Sequence, residues 1–277
     1  MTNKQLFFAP HPALRDMVNN IMIGHTVTPD LQTNLSFQFP PLPEHSILFY
    51  PHHKPIVEDI NSRKTRALFS CTITGPQSQR SVLTLGRNHL MIKIGFQPGA
   101  LHRLLRFPMH EMLQQDYDGE AIFGGEIKNV IDAMANTLNF IELKNIAEEF
   151  MLGHVAGIKM PVSIDYVIPE LIKHGGMMNI SGLVDKACMS NRQFERAFKD
   201  RMGVSPKFYS RLVRFGKAWL LKEKQTSITW SEVAHHCQYF DQMHLIRDFK
   251  AFTNVNPRMI SDAFERQPFV LLKDIFH

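Results

Sequence analysis

Two segments in the second half of the 277-residue chain, Phe194-Glu-Arg-Ala-Phe-Lys199 and Leu245-Ile-Arg-Asp-Phe-Lys250, share the pattern apolar-x-Arg-x-Phe-Lys. The similarity extends beyond them at an offset of 50 residues before an internal turn and 51 after it. The further aligned positions are Leu183-Val184 with Val233-Ala234, Val204 with Val255, and Pro206 with Pro257. Because apolar, basic and proline positions recur in the same order, the pattern indicates a duplicated structural unit.

The first copy is predicted to contain two short helices separated by a tight turn. The pattern predicts a helix over Ile180–Ala187, a turn at Cys188-Met189, and a helix from Ser190 to about Arg201. Ser190 with Gln193 three residues later is a capping box, in which each residue satisfies a backbone N–H of the other. Two short helices joined in this way by a turn of about three or four residues form a helix-turn-helix.

The second copy repeats this arrangement. Thr229 and Glu232 have the capping-box spacing, a turn follows at Gln238-Tyr239, and a helix is predicted from about Asp241. Each copy ends with an N-cap residue directly before a proline, in Ser205-Pro206 and Asn256-Pro257. The apolar spacing from Pro206 to Lys222 predicts a longer helix that bridges the two units.

These segments resemble the AraC family of transcription regulators. Besides the repeated signature, Met202-Gly203-Val-Ser-Pro206 resembles the terminator of the first unit, and Arg211-Leu-Val-Arg-Phe-Gly-Lys-Ala218 resembles the linker helix. The resemblance implies an all-α DNA-binding domain over residues 163–266 with two helix-turn-helix units. Cys188, Gln238 and Asn254 stand where the family has glycine. Because side chains other than glycine adopt positive φ less readily, the resemblance does not fix the geometry of these turns.

The N-terminal part is predicted to be an α+β domain. Apolar, β-branched and aromatic runs predict strands over Val18–Thr28, Ser46–Tyr50, Ala67–Thr74 and His89–Phe96. Helical periodicity begins after Gly99 and includes a helix from Asn139 to about Leu152. Gly75-Pro-Gln77 and Gly95-Phe-Gln-Pro-Gly-Ala-Leu101 resemble a cupin-like sensor domain, which implies a small β-barrel followed by helices. We therefore predict a sensor domain over residues 1–152, a linker over 153–162, and a C-terminal tail over 267–277.

Net charge points to the same half of the chain. The formal charge is +5, yet residues 1–160 contain 14 basic and 14 acidic residues, so all of the excess lies beyond them. Residues 186–224 contain 11 basic and three acidic residues. Such a local excess is expected of a surface that binds a polyanion.

Candidate DNA contacts follow from the position of the second helix of each unit. The N-terminal part of this helix enters the major groove, where arginine pairs with guanine and asparagine or glutamine pairs with adenine. The predicted base-reading residues are Asn191, Arg192, Gln193, Arg196, Asp241, Gln242, His244 and Arg247, of which the resemblance favours Arg196 and Arg247. The predicted phosphate contacts are Ser190, Lys199, Lys207 and Lys250. Two such helices would cover a site of about 20 base pairs.

The remaining patterns favour a regulator over an enzyme. Cys71, Cys188 and Cys237 are scattered, and neither His235-His236-Cys237 nor His52-His53 has the spacing of a metal site. We expect no metal, no cofactor, no membrane segment and a cytoplasmic location. Double-stranded DNA is the expected partner, with RNA polymerase added if the protein is an activator. A small-molecule effector, a homodimer, a cupin-like enzyme with an attached DNA-binding module, and a constitutive regulator remain open alternatives.

Overall fold

The N-terminal region, residues 2–155, contains two antiparallel sheets that face each other. The structure is a computed structural model that describes residues 2–28, 35–60, 63–257 and 259. One sheet has the strand order β1-β2-β9-β4-β7-β10 and the other has the order β3-β8-β5-β6. The strands are β1 (Thr2–Phe8), β2 (Val18–Val27), β3 (Leu35–Phe39), β4 (Ser46–Phe49), β5 (Ile56–Asp59), β6 (Thr65–Ala67), β7 (Cys71–Thr74), β8 (Ser81–Leu85), β9 (Asn88–Phe96) and β10 (Asp116–Asp118).

The central pair β2 and β9 is buried on both faces, which explains its nearly continuous apolar sequence. The two strands pair antiparallel from Val27↔Asn88 to Val18↔Phe96. Ile23 and Ile92 point toward the helices that cover the larger sheet, whereas the neighbouring Met22 and Met91 point between the two sheets. This alternation follows from the period of two along a strand.

Four helices cover the outer face of the six-stranded sheet. They are α1 (Ala100–Leu105), α2 (Gly119–Phe123), α3 (Glu126–Ala135) and α4 (Phe140–Val155). Leu101, Met134 and Leu143 are fully buried against the sheet. The α+β class predicted for this region is confirmed, although the described strands form two sheets rather than one closed barrel.

The predicted strand Ala67–Thr74 is wrong as a single element. The chain turns after Ala67, so that β6 belongs to the smaller sheet and β7 to the larger one. At this turn the Thr72 hydroxyl accepts a hydrogen bond from the backbone N–H of Phe69 at 3.0 Å. Leu68 is buried between the sheets, which anchors the crossing.

The C-terminal region, residues 163–259, contains the helices predicted from the repeat and one helix before them. They are α5 (Ser163–Lys173), α6 (Ile180–Lys186), α7 (Asn191–Met202), α8 (Pro206–Lys224), α9 (Trp230–His236) and α10 (Gln242–Thr253). Helices α6 and α7 form the first helix-turn-helix, and α9 and α10 form the second. Helix α8 supplies Tyr209 and Val213 to the first core and Phe215 and Trp219 to the second. It therefore bridges the two units, as its sequence predicts.

Three boundary predictions differ from, or fall outside, what the structure describes. Helix α4 continues to Val155, so the predicted linker over residues 153–162 begins inside a helix. The predicted end of the DNA-binding domain and the tail over residues 267–277 lie outside the described residues. Within the described part of the chain, no helix is both long and apolar enough to cross a membrane.

Candidate nucleic-acid interface

The start of α7 is fixed by the predicted capping box. The Gln193 backbone N–H donates to the Ser190 hydroxyl at 3.3 Å, and the Ser190 backbone N–H donates to Gln193 Oε1 at 3.0 Å. The Ser190 hydroxyl also donates to Gln193 Oε1 at 2.9 Å. These bonds satisfy two backbone donors at the helix start, which fixes the direction in which α7 leaves the turn.

The start of α10 is fixed in a related way. Asp241 is the N-cap residue, and its carboxylate accepts a hydrogen bond from the His244 backbone N–H at 2.6 Å. The preceding helix α9 has the predicted capping box between Thr229 and Glu232, with the Thr229 N–H donating to Glu232 Oε2 at 2.7 Å. Both second helices thus begin at a well-defined cap.

The turns of both units adopt the left-handed geometry of a glycine turn without containing glycine. Cys188 has φ 53° and Gln238 has φ 55°. The same bonds follow each residue: the Met189 N–H donates to the Val184 carbonyl at 3.2 Å, and the Tyr239 N–H donates to the Ala234 carbonyl at 2.9 Å. The two turns are therefore equivalent.

Helices α7 and α10 each bury one face and expose the other. Phe194 and Phe198 of α7, like Leu245 and Phe249 of α10, are fully buried. The exposed residues on α7 include Asn191, Arg192, Gln193, Arg196 and Lys199, and those on α10 include Asp241, Arg247 and Lys250. Gln242 and His244 are half-buried. Lys207, the second residue of α8, is exposed.

The basic residues divide into two groups according to their ion pairs. Arg201 donates to Asp165 at 2.6 Å, and Arg211 pairs with Asp248 at 2.8 Å, so both are neutralised inside the domain. By contrast, within the described part of the chain the cations on the outer faces of α7, α8 and α10 form no ion pair: Arg192, Arg196, Lys199, Lys207, Arg247 and Lys250. These outward charges are available to an external anion.

The structure brings part of the predicted set together and gives two members another role. Ser190, Arg192, Gln193 and Arg196 border one surface depression at the start of α7. The Oε1 atom of Gln193 and the carboxylate of Asp241 are engaged in the caps described above. The His244 ring lies edge-on against Tyr239, with ring centroids 5.3 Å apart.

Two further exposed residues lie on the same faces and were not predicted from the sequence. Glu195 lies one turn after Asn191 on α7, and Met243 lies one turn before Arg247 on α10. Both spacings of four residues place the pair on one helix face. The signal that could have found them is this spacing, because Phe194 and Leu245 already define the inward faces.

The N-terminal region contacts both helix-turn-helix units. The buried Tyr209 hydroxyl of α8 donates to the Pro43 carbonyl at 2.8 Å, and the Arg80 N–H donates to the Phe252 carbonyl of α10 at 2.9 Å. His110 Nδ1 lies 3.3 Å from an Asp200 carboxylate oxygen of α7. Leu42 packs against the core of the second unit.

A cavity of about 70 Å³ lies between the two sheets of the N-terminal region. Its lining is mainly apolar and includes Met22, Leu83 and Met91. One buried ion pair, between Lys93 and Glu44, borders it. Glu44 also borders a cleft of about 470 Å³ between the N-terminal region and α5.

Comparisons with known proteins match one family model in each half of the chain. Residues 183–262 match the model of a helix-turn-helix domain family, and residues 6–118 match a domain of unknown function (DUF6597). The second match ends at the last residue of β10.

One relative is an uncharacterized HTH-type transcriptional regulator of Haemophilus influenzae, 26% identical over 167 residues. The alignment covers 58% of this chain and 54% of the relative, so the chain spans about half the length of the relative it matches.

Two solved structures are similar to this chain. A variant of apo ToxT from Vibrio cholerae aligns over 88% of this chain and 97% of its own, with 13% identity and a TM-score of 0.50. The DNA-binding domain of AdpA in complex with a target DNA aligns over 40% of this chain and all of its own, with 21% identity and a TM-score of 0.36. The ToxT match concerns the fold.

The family follows from features of the C-terminal region taken together. Two helix-turn-helix units with equivalent turns and caps are joined by one shared helix, and the apolar-x-Arg-x-Phe-Lys signature lies on the second helix of each. The helix-turn-helix family model covers this segment, and the Haemophilus influenzae relative is itself a regulator of this type. The C-terminal region is a helix-turn-helix domain of the AraC type.

Proposed function

We propose that the protein regulates transcription by binding a specific DNA site through α7 and α10. The observation that carries this proposal is that Arg196 and Arg247 occupy equivalent positions of the two units, face outward, and form no ion pair with any described residue. Arg201 and Arg211, which are close in sequence, are paired with aspartates. Unpaired arginines on the outer face of a recognition helix are suited to the O6 and N7 atoms of guanine.

The other candidate residues receive roles from their hydrogen bonds. Asn191 and Arg192 are free to reach bases, and Glu195 can accept a hydrogen bond from cytosine N4. Gln242 and His244 have the same role on α10. Gln193 and Asp241 act mainly as caps, because a base contact through their oxygens would break the bonds that start the helix. Lys199, Lys207, Lys250 and the N-terminal end of α7 at Ser190 contact phosphates.

The first experiment tests the two arginines with the full-length protein. A binding site is selected from random double-stranded DNA, and affinity for this site and for a scrambled one is measured at fixed salt. Arg196→Ala or Arg247→Ala should weaken binding to the selected site by about 5- to 150-fold and leave binding to scrambled DNA nearly unchanged. Lys224→Ala, an exposed charge at the far end of α8, is the matched control. Equal affinity of Arg196→Ala and wild type for the selected site would refute the proposed groove assignment.

A second measurement separates phosphate contacts from base contacts. The logarithm of the binding constant falls linearly with the logarithm of salt concentration, with a slope of about −0.9 per neutralised phosphate. Lys250→Ala should therefore make the slope shallower by about 0.9 and weaken selected and scrambled DNA alike. A loss confined to the selected site would instead assign Lys250 to base reading.

We further propose that the N-terminal region senses a small molecule rather than catalysing a reaction. The cavity between the sheets combines an apolar wall with the buried Lys93–Glu44 pair, which suits a ligand with an apolar body and one polar group. Ligand pockets commonly enclose about 300–1,000 Å³, so binding would require the sheets to move apart or a very small ligand. As a DNA-binding regulator the protein would act in the cytoplasm, and RNA polymerase would be a partner if it activates.

The effector proposal is tested by thermal shift, because a ligand that binds only the native state raises its stability. The full-length protein is screened against a metabolite library, and each hit is repeated with Ser46→Val, which fills part of the cavity. Ser36→Val, on the exposed face of β3, is the matched control. Stabilisation that disappears only in Ser46→Val supports the cavity. Hits that persist in both variants place the ligand elsewhere, and the cleft beside Glu44 is the next site to test.

A further inference from the structure

Two large apolar side chains are exposed at the entry to α10. Phe240 is 93% exposed and Met243 is 58% exposed. Phe240 directly precedes the N-cap residue Asp241, and Met243 is the second residue of the helix. A phenylalanine ring that stays in water does not gain the free energy of burial. Its position beside the proposed DNA face therefore indicates a contact with another molecule.

The first helix-turn-helix unit has no such pair. The equivalent turn hydrogen bonds pair Met189 with Tyr239, so Phe240 is the one extra residue of the second turn, and at the 51-residue offset Met243 aligns with Arg192. Met189 is half-buried against the core of the first unit, whereas Arg192 is exposed. In the first unit the residue before the cap thus packs inward, in the manner of a hydrophobic staple. Phe240 does not pack in this way, so it does not serve to fix the start of α10.

The position of Met243 on the helix shows which way it points. Met243 precedes the buried Leu245 by two residues, which at about 100° per residue places it on the opposite side of the helix. It precedes Arg247 by four residues, so the two side chains lie on one face, one turn apart. Met243 is therefore on the face that carries Arg247, and Phe240 lies three residues before Met243 along the chain.

We propose that Phe240 and Met243 contact the 5-methyl groups of thymines in the half of the DNA site read by α10. The thymine methyl is an apolar group on the major-groove edge and is contacted by apolar side chains, phenylalanine among them. Unit one reads through hydrogen bonds from Arg192 and Arg196, whereas unit two combines one arginine with apolar contacts. The inference rests on the proposed DNA-binding function and adds thymine to the guanine expected at Arg247.

The test removes the methyl groups without changing base pairing. In the selected site, each thymine is replaced singly by uracil, and binding of the full-length protein is measured at fixed salt. At one or two thymines in the α10 half, the loss of one buried methyl should weaken binding about fourfold. The same replacements in the α7 half are the control and should have little effect.

The variants connect the effect to the two side chains. Phe240→Ala and Met243→Ala should weaken binding to thymine DNA and show little further loss with uracil, because the methyl no longer has a partner. Met243→Gln keeps the side-chain length and tests whether the apolar character matters. Leu138→Ala, which changes a 53% exposed residue of the N-terminal region, is the matched control.

Several results would overturn the inference while leaving the proposed function intact. These are a selected site without thymine in the α10 half, specific binding that is insensitive to uracil at every position, and uracil sensitivity that persists in the Phe240→Ala, Met243→Ala double variant. Unchanged DNA affinity of this double variant together with lost transcription would also overturn it and assign the pair to a protein partner. Failure of the wild type to select any sequence would instead contradict the proposed function itself.

Discussion

Cys188 and Gln238 carry a conformational cost at the turns of the two helix-turn-helix units. Their φ values of 53° and 55° lie in the left-handed region, where an L side chain costs about 1–2 kcal/mol. Gly203 and Asn254, at the ends of α7 and α10, adopt the same conformation. The turn geometry is thus set by the helices packed on either side, and the residue in the turn accommodates it.

Replacement by glycine should therefore stabilise both turns. Glycine removes the strain but gives the unfolded chain more freedom, so Cys188→Gly and Gln238→Gly should each raise the free energy of unfolding by about 0.5–1 kcal/mol. Urea denaturation measures the change. The opposite control is Gly203→Ala, since an added Cβ would clash with Pro76 Cγ and φ is 78°. Lower stability of both glycine variants would show that the cysteine and glutamine side chains are needed where they stand.

The sequence predicted individual residues of the C-terminal region best where a local hydrogen bond decides the structure. The boxes at Ser190 and Thr229 form as their spacing predicts. The same spacing predicted the cap at Gln193, although that residue was also predicted to read a base, whereas the cap at Asp241 was not predicted, because aspartate also suits a DNA base. It also did not place Phe240 in solvent, because the exposure of a residue before a cap depends on the packing around the turn.

Helix α8 connects three parts of the molecule. It contributes to the cores of both helix-turn-helix units, and its Tyr209 hydroxyl donates to the Pro43 carbonyl in a buried contact. Burial raises the pKa of Tyr209 far above its usual range, so the hydroxyl remains a donor at neutral pH. The segment that includes Pro43 thus couples the N-terminal region to the bridging helix.

Removal of this one hydroxyl should weaken the connection. Tyr209→Phe keeps the ring but leaves the buried Pro43 carbonyl without its donor, which should cost about 1–3 kcal/mol of stability. Tyr166→Phe, at a residue that is 67% exposed, is the control and should change little. Both are measured by urea denaturation of the full chain. Equal stability of the two variants would mean that another donor replaces the hydroxyl.

At the scale of elements, helices were predicted more fully than strands. The predicted helices of the C-terminal region have caps and a 3.6-residue period, and each is present within a few residues of its predicted bounds. Strands β5, β6 and β10 have three or four residues each, too few to show alternation, and they were not predicted as separate strands. Their pairing depends on distant partners, such as Val57↔Leu83, which a local pattern does not contain.

Across the whole molecule, one segment borders both the cavity and the helix-turn-helix units. Leu42 lines the cavity and packs against the second unit, Pro43 accepts the Tyr209 hydrogen bond, and Glu44 pairs with Lys93 inside the cavity. A ligand that displaced the Glu44–Lys93 pair would therefore move backbone that contacts α8. This arrangement gives the proposed effector a direct mechanical route to the DNA-binding units.

The pH dependence of stability combines opposing contributions from the two regions. Burial lowers the pKa of His45 and of His89 from 6.5 to about 4, whereas burial raises the pKa of Glu223 from 4.5 to about 7. Between pH 6.5 and 4 the two histidines bind protons in the unfolded chain but not in the folded chain. They therefore lower the free energy of unfolding as the pH falls. The contribution of Glu223 has the opposite sign, because as the pH falls Glu223 binds a proton in the folded chain before it does so in the unfolded chain.

Single substitutions should separate these contributions. Each group changes the free energy of unfolding by at most about 1.4 kcal/mol per pH unit, and the two histidines together outweigh Glu223. Urea denaturation of the full chain between pH 7.5 and 5 should show stability falling with acid. His45→Gln should make this fall shallower, and Glu223→Gln should make it steeper.

If the two regions unfold in separate transitions, the histidine effect belongs to the N-terminal transition and the glutamate effect to the C-terminal one. An identical pH slope for wild type and His45→Gln would mean that His45 titrates alike in the folded and unfolded chain, contrary to its burial.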